Sequence, residues 1–358
     1  MKILSASSRT EDFGLTRPYA IALGRTESVQ NVIVEIRTAA GRIGLGAAAP
    51  EPRVTGETHE DCCARLREGE LSWLVGCDAR QTARLCREAG ERMPGAPAAR
   101  AAVDMALHDL LSQHLELPLA DVLGRAHEAL PTSITIGIKG VDETLAEAEE
   151  YLGRGFTILK VKTGLDLEED LERLARLREE VGPRTSIRVD ANQGYTSQET
   201  ARFFERADAL DLEFVEQPMT ASAVPALREL PASWRRRIAA DESLLGESDA
   251  LDLAAAPPAC GIFNIKLMKC GGIRPALRIA AIAETAGVEL MWGCMDESRI
   301  SISAALHAAF ASPATRYLDL DGSLDLARDV VEGGFTLENG VMRTTDAPGL
   351  GVRRSGGS

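Results

Sequence analysis

With 358 residues, 26% charged side chains and a formal net charge of -14, the chain can bury more than one core and is too acidic to suit nucleic acid or an anionic membrane surface. No apolar run approaches a membrane span and "MKILSASSRTEDF" lacks the apolar core of a signal peptide, so a cytoplasmic protein is expected. Seven cysteines without CxxC pairs, Cys62 and Cys63 being adjacent, fit reduced and mostly buried thiols rather than a disulfide framework.

Residues 1–125 read as an α+β capping domain. Two β-rich runs in "NVIVEIRTAAGRIGLGAAAP" are joined through "AAGR", and helical patterns follow at about 57–70, 79–93 and 97–117. "GRIGLG" has the glycines of a phosphate loop but opens no helix, so they are assigned to a hairpin.

From 126 to 322 short apolar runs recur with a fixed interval. Their ends fall near Thr135, Lys162, Asp190, Glu216, Asp241, Lys266, Cys294 and Asp319, roughly 25 to 28 residues apart, which is one strand plus one helix. The intervening stretches, such as "LEEDLERLARLREEV", place apolar residues three and four apart. Eight such steps predict an α/β fold, a (β/α)8-type barrel with its chemistry at the C-terminal ends of the strands. Past the last strand, 323–358 holds short strand patterns around an Asn-Gly turn, expected to return to the capping domain, and "RRSGGS" is expected to be disordered.

Three carboxylates end consecutive strands: Asp190 in "RVDAN", Glu216 in "FVEQP" and Asp241 in "AADES". A βα repeat brings them to one rim, where three hard oxygen ligands without histidine or cysteine favour Mg²⁺. Helix caps have no reason to recur as Lys, Asp, Glu, Asp, Lys on five consecutive strands. Asn192, on the face of Asp190, and Glu242, beside Asp241, are expected to support the ligands. Lys160 and Lys162 share a strand face, and two ammonium groups near a cation should have depressed pKa values that free a neutral base. Lys266, on the sixth strand, stands opposite. Lys269 competes for that role, but the interval favours Lys266, and Lys269 falls in the following loop, where it would instead pair with a helix charge. A substrate carbon between Lys162 and Lys266 could lose a proton on one face and regain one on the other, with the metal stabilising the enediolate, as in epimerisation or racemisation.

"KVK", "VDAN", "EQP", "ADES" and "NIKLMKCGG", with "AAVDMALHDLLSQHLELPLADVLG" at 101–124, resemble the signature of the enolase superfamily, muconate lactonising subgroup, over nearly the whole chain. The resemblance implies a modified (β/α)7β barrel capped by the N-terminal domain and completed by the C-terminal segment. It also implies Mg²⁺ on Asp190, Glu216 and Asp241, Lys162 and Lys266 as acid/base pair, and Lys160 at the substrate carboxylate. Within that subgroup, "DLD" at Asp319 and Asp321 is similar to the Asp-x-Asp motif of dipeptide epimerases, which fits an ammonium-binding pair. Thr135 and the run Cys294, Met295, Asp296, Glu297, Ser298 resemble the substrate wall. Glu51 and Asp296 point to a basic dipeptide; Arg25, in "ALGRTES", points instead to a glutamate side chain and Ala-Glu epimerisation. Other members of the subgroup act as N-acylamino acid racemase, o-succinylbenzoate synthase or muconate cycloisomerase, on substrates without a free ammonium. A non-catalytic ligand-binding barrel is the reading of a different class. Association into a homo-oligomer is common among such barrels.

Overall fold

The computed structural model describes residues 1–17 and 29–355 in full, together with the backbone of two short paired strands, Tyr19–Ile21 and Gly24–Thr26. Its centre is a parallel sheet whose strands pair in chain order: Ile134–Ile136, Ile158–Lys162, Ser186–Asp190, Val215–Glu216, Ile238–Ala240, Ile262–Ile265, Glu289–Trp292 and Thr315–Leu318. A parallel bridge between Thr132 and Leu318, with Ser133 N donating to Leu318 O at 3.1 Å, closes the barrel.

Helical connections fill the gaps between the strands, and the eighth strand leads to further strands instead of a helix. This is the (β/α)7β form. The local code is visible in Leu167–Val181: Asp166 caps the N-terminus by accepting from Glu168 N and Glu169 N, Leu171, Leu174 and Leu177 are buried at helical spacing, and Gly182 at φ 70° ends it.

The N-terminal sheet, Ile3–Asp12, Gln30–Thr38 and Ile43–Ala48, is antiparallel and packs on the helix Pro97–Leu115. Gly44 and Gly46 permit that approach, because a Cβ at Gly44 would lie 2.2 Å from Ala106 O and one at Gly46 1.8 Å from Ala102 O. The glycines of "GRIGLG" are thus packing and hairpin residues.

In the tail, Phe335–Glu338 and Val341–Thr344 pair across Asn339 and Gly340, both at positive φ, and the second of these strands pairs with Leu130–Pro131. Leu350 N then donates to Asp109 Oδ1 at 2.9 Å and Arg354 pairs with Glu35, which ties the tail to the N-terminal domain. Val352–Arg354 pairs with Val331–Gly333, so the first two residues of "RRSGGS" are ordered by a strand partner, contrary to the expectation of disorder. All seven cysteines are free; three are buried, and Cys63, Cys77, Cys86 and Cys294 are half-buried, fewer in the core than expected. Among the described residues no helix is long and apolar enough to cross a membrane.

Candidate active site

The barrel's C-terminal rim opens into a cavity of about 950 Å³ lined by Thr135, Lys160, Lys162, Asn192, Asp241, Glu242, Lys266, Asp319 and Asp321, with Glu51, Cys294, Met295 and Asp296 further out. Register explains the convergence. Lys162 and Asp190 are partners across the second and third strands, and Asp190 and Glu216 across the third and fourth, so pleating sets all three at one height. Asp241 and Lys266 each follow the last residue of their strand.

The three strand-end carboxylates are buried and surrounded by lysines. Lys160 Nζ lies 3.0 Å from Asp190 Oδ2, 2.7 Å from Glu216 Oε2 and 2.7 Å from Asp319 Oδ2. Lys162 Nζ donates to Asp190 Oδ2 at 2.7 Å and to Asn192 Oδ1 at 3.2 Å. Lys266 Nζ donates to Asp241 Oδ2 at 2.8 Å, and Lys269 holds Oδ1 of the same carboxylate. The two lysines proposed as acid and base therefore stand at the second and sixth strands, on either side of the carboxylates of the third to fifth.

Charge coupling follows from that packing. Burial alone would strip the proton from Lys160, but Asp190, Asp319 and Glu216 outweigh it and hold the ammonium well above its usual range. Lys266 is raised in the same way, burial being overcome by Asp241 and Glu216. For Lys160 the expectation of a depressed pKa is reversed, because three carboxylates lie closer to its ammonium than any other ammonium does. Burial opposes ionisation of Asp241, yet Lys266 and Lys269 keep its pKa far below the usual carboxylate range. Glu216, by contrast, is pushed up to about 8 by burial and by Asp190, and Glu242 to about 7 by burial, Asp241 and Asp190.

The donor set fits a hard divalent cation: oxygen ligands on consecutive strands, too many negative charges for one dry site, and two carboxylate oxygens, Glu216 Oε2 and Glu242 Oε2, that accept no hydrogen bond. Lys160 is close to Glu216 Oε2 but outside hydrogen-bonding geometry, so ion contact and orphaned acceptor coexist there. Among the described residues the one trio of potential ligands within 4.8 Å of each other is Cys86, Asp104 and His108, in the N-terminal region. Asp104 there caps the helix Ile273–Ala286, accepting from Ile273 N at 2.7 Å, which accounts for its burial. The oxygens of Asp190, Glu216 and Asp241 are spread wider because each is turned toward a lysine. A bound cation would take over contacts that Lys160, Lys162 and Lys266 now make.

The remaining expected site residues divide. Asp319 lines the cavity, and it also accepts from Lys160 and, at 2.6 Å, from Ser133 Oγ, which ties it into the charge network. Asp321 lines the mouth, accepts from Thr135 N at 2.7 Å, and is pushed up to about 7 by burial and by Asp319. Asn192 bridges Lys162 to Glu242, and its main-chain N donates to Asp190 Oδ1 at 3.0 Å. Cys294 Sγ donates to Asp319 O at 3.3 Å and takes no part as a thiolate, burial pushing its pKa well up. Glu297 does not line the cavity: it is 2% exposed and accepts from Met295 N at 2.7 Å, shaping its own loop instead of the substrate wall. Glu51 does reach the cavity, but Arg53 clamps both its oxygens at 2.8 and 2.7 Å, since the two sit on one turn that Glu51 itself caps. The side chain of Arg25 lies outside the described residues.

Two further residues are central here, Asn264, which the sequence pattern does not single out, and Lys269, which it places in a loop. Asn264 is two residues before Lys266, on the same strand face, and donates to Glu216 Oε1 at 2.6 Å. Lys269 lies on the helical turn Leu267–Cys270, fully buried against Asp241, instead of in a loop facing a helix charge. The signal for Asn264 was the pleat alternation; for Lys269 it was the i+3 spacing from Lys266.

Comparison with known proteins bears on the whole chain. Residues 6–124 match the mandelate racemase / muconate lactonizing enzyme N-terminal domain and residues 143–355 the enolase C-terminal domain-like family. The chain is 63% identical over 352 residues to the L-Lys-D/L-Arg epimerase of Methylococcus capsulatus, covering 98% of this chain and 99% of that protein. It is 35% identical to the L-Ala-D/L-Glu epimerase of Clostridium acetobutylicum, covering 94% and 95%. The crystal structure of the dipeptide epimerase from Methylococcus capsulatus with Mg and the dipeptide L-Arg-D-Lys superposes with a TM-score of 0.97 at 63% identity, covering 98% of this chain and 99% of that one. The chain belongs to the mandelate racemase / muconate lactonizing enzyme family of the enolase superfamily, among its dipeptide epimerases.

Proposed function

We propose that the protein is a Mg²⁺-dependent epimerase of dipeptides carrying cationic side chains, acting by proton transfer at the α-carbon of the C-terminal residue. The observation that carries this reading is the placement of Lys162 and Lys266 on opposite flanks of the Asp190, Glu216 and Asp241 cluster. Lys162 removes or returns the proton on one face of the α-carbon and Lys266 on the other. Lys160, buried deeper, holds positive charge beside the substrate carboxylate. Bound Mg²⁺, held by Asp190, Glu216 and Asp241, would supply the charge that stabilises that carboxylate as the neighbouring carbon gives up its proton. Asp321 receives the free ammonium of the N-terminal residue, a charge-assisted contact that N-acyl substrates cannot make.

Preference for basic side chains rests on the cavity's field more than on Glu51, whose charge Arg53 offsets. The wall carries ten carboxylates against six lysine and arginine side chains, a formal excess of four negative charges. Asp190 and Glu216, outside that lining, add two more negative charges that a bound divalent ion would offset, so the field stays negative and favours cationic over carboxylate side chains. The Methylococcus capsulatus relative, named for Lys and Arg, supports the same reading. Turnover of L-Lys-L-Arg should exceed that of L-Ala-L-Glu by about 100-fold or more in kcat/KM, the order expected for opposite-sign side chains in one field. Equal turnover, or a preference for the acidic dipeptide, removes the claim.

The Asp321 carboxyl gives a pH signature. With its pKa raised to about 7 it is ionised above that value and neutral below, so ammonium binding is present at higher pH and lost as pH falls. KM for the dipeptide should rise about tenfold per pH unit below 7, and Asp321→Asn should abolish that slope while raising KM throughout. A variant with wild-type KM would mean a substrate without an ammonium.

The seven unpaired cysteines support a reducing compartment, the cytoplasm. On this reading 1–125 caps the barrel of 126–322, 323–358 completes the cap, and association of copies into a homo-oligomer remains part of the proposal.

A further inference from the structure

Lys269 is chemically unlike the other lysines of the site. It is 2% exposed, it does not line the cavity, and its ammonium is bonded on all sides. It donates to Asp241 Oδ1, to the main-chain O of Asp241 at 2.6 Å and to the main-chain O of Asn264 at 3.0 Å. Three N–H donors thus meet three oxygens, and both the side chain and the main chain of Asp241 are fastened to the sixth strand. Asn264 in turn donates its side-chain amide to Glu216 Oε1. Two of the three strand-end carboxylates are therefore held in place from one segment, Asn264 to Lys269.

We propose that Lys269 is a positioning residue for the cation site: by fixing the rotamer and height of the Asp241 carboxylate it sizes the cage for a small divalent ion. The inference rests on the assignment of Asp241 as a metal ligand. Lys266 does not share this role, because it lines the cavity and touches only the other oxygen, Oδ2. A buried ammonium also repels any cation nearby, so its charge and its geometry act in opposite directions on affinity. Ion size separates them. Charge acts on every divalent ion alike, whereas Mg²⁺ demands near-octahedral oxygens at about 2.0–2.1 Å and Ca²⁺ accepts looser, longer coordination at about 2.3–2.6 Å. Losing the clamp should cost Mg²⁺ more than Ca²⁺.

The test is calorimetric titration of Mg²⁺ and of Ca²⁺ into the full-length protein and its Lys269→Met variant, with no substrate present. The Kd ratio of Ca²⁺ to Mg²⁺ is expected to fall about tenfold in the variant, the scale of lost outer support around a metal ligand. Lys269→Gln, which keeps one amide donor in the same place, is measured in parallel; circular dichroism and the melting temperature establish which variant is folded. A ratio unchanged within twofold, in whichever direction the two constants move, overturns the inference and leaves Lys269 as a buried counter-ion that affects stability alone. Asp241→Asn is the control for the underlying assignment. If wild-type binding survives that substitution, Asp241 is not a ligand and both claims fall; if binding is lost there but the ratio stays fixed in the Lys269 variants, only the positioning role does.

Discussion

Lys162→Ala and Lys266→Ala should each lower the turnover of a basic dipeptide by at least about 10³-fold, within the range that a positioned proton-transfer group supplies. Epimerisation needs both faces of the α-carbon, so either loss stops the full reaction. Dipeptide KM should change little, since Lys160, Asp321 and the metal cage remain. The two variants should differ in side effects. Lys162 is half-buried and shares Asp190 with Lys160, so its loss leaves Asp190 paired. Lys266 is buried on Asp241, but Lys269 stays on the same carboxylate, which spares the protein an unpaired buried charge. Both variants should therefore fold. Retention of more than a tenth of wild-type epimerisation by either would remove it from the acid/base pair.

Chelation of divalent cations should abolish activity, and Asp190→Asn, Glu216→Gln and Asp241→Asn should each cost about 10³-fold or more at fixed Mg²⁺, several kcal/mol of charge stabilisation at the carbon being deprotonated. The largest structural consequence is expected for Asp241, because two buried lysines depend on it. The amide variant is the suitable test there: Asn keeps one acceptor oxygen in place, whereas truncation to Ala would leave both Lys269 and Lys266 without a side-chain acceptor, a loss of about 3–5 kcal/mol in stability that would obscure the metal effect. Added Mg²⁺ should restore part of the activity of Asp190→Asn, since the remaining oxygens still line one rim. Activity that persists in chelator, measured on protein shown free of metal, would contradict the role given to these carboxylates.

The barrel and its rim were legible because a βα unit has a nearly fixed length, so chemistry placed at strand ends repeats at a readable interval. The lysine and carboxylate positions followed from that interval and from strand alternation. What the interval does not encode is which polar groups satisfy one another. Asp319 and Asp321 share a strand pattern, yet Ser133 and Lys160, brought beside the eighth strand only by closure of the barrel, bond the first and leave the second, among the described residues, free of any lysine bond. Glu51 is acidic and near the cavity, but its neighbour Arg53 neutralises it across one turn. Glu297 folds back on its own loop through Met295 N, a contact that depends on backbone geometry rather than residue type. The depressed pKa expected of Lys160 failed for a related reason: counting two ammonium groups on one face omitted the third, fourth and eighth strands, whose carboxylates close around it. The pattern places Lys269 in a loop because the short helix Leu267–Cys270 carries no periodicity long enough to read.

The most direct measurement is α-proton exchange in D₂O, followed by NMR, for L-Lys-L-Arg and L-Lys-D-Arg with the wild-type protein and with Lys162→Ala and Lys266→Ala. Wild type should incorporate deuterium from either diastereomer and interconvert them. Each variant should exchange the α-proton of one diastereomer without inverting it, and the two variants should choose opposite diastereomers. If both variants exchange the same diastereomer, or if either still inverts the centre at a rate comparable to wild type, the lysines do not work from opposite faces of the substrate carbon.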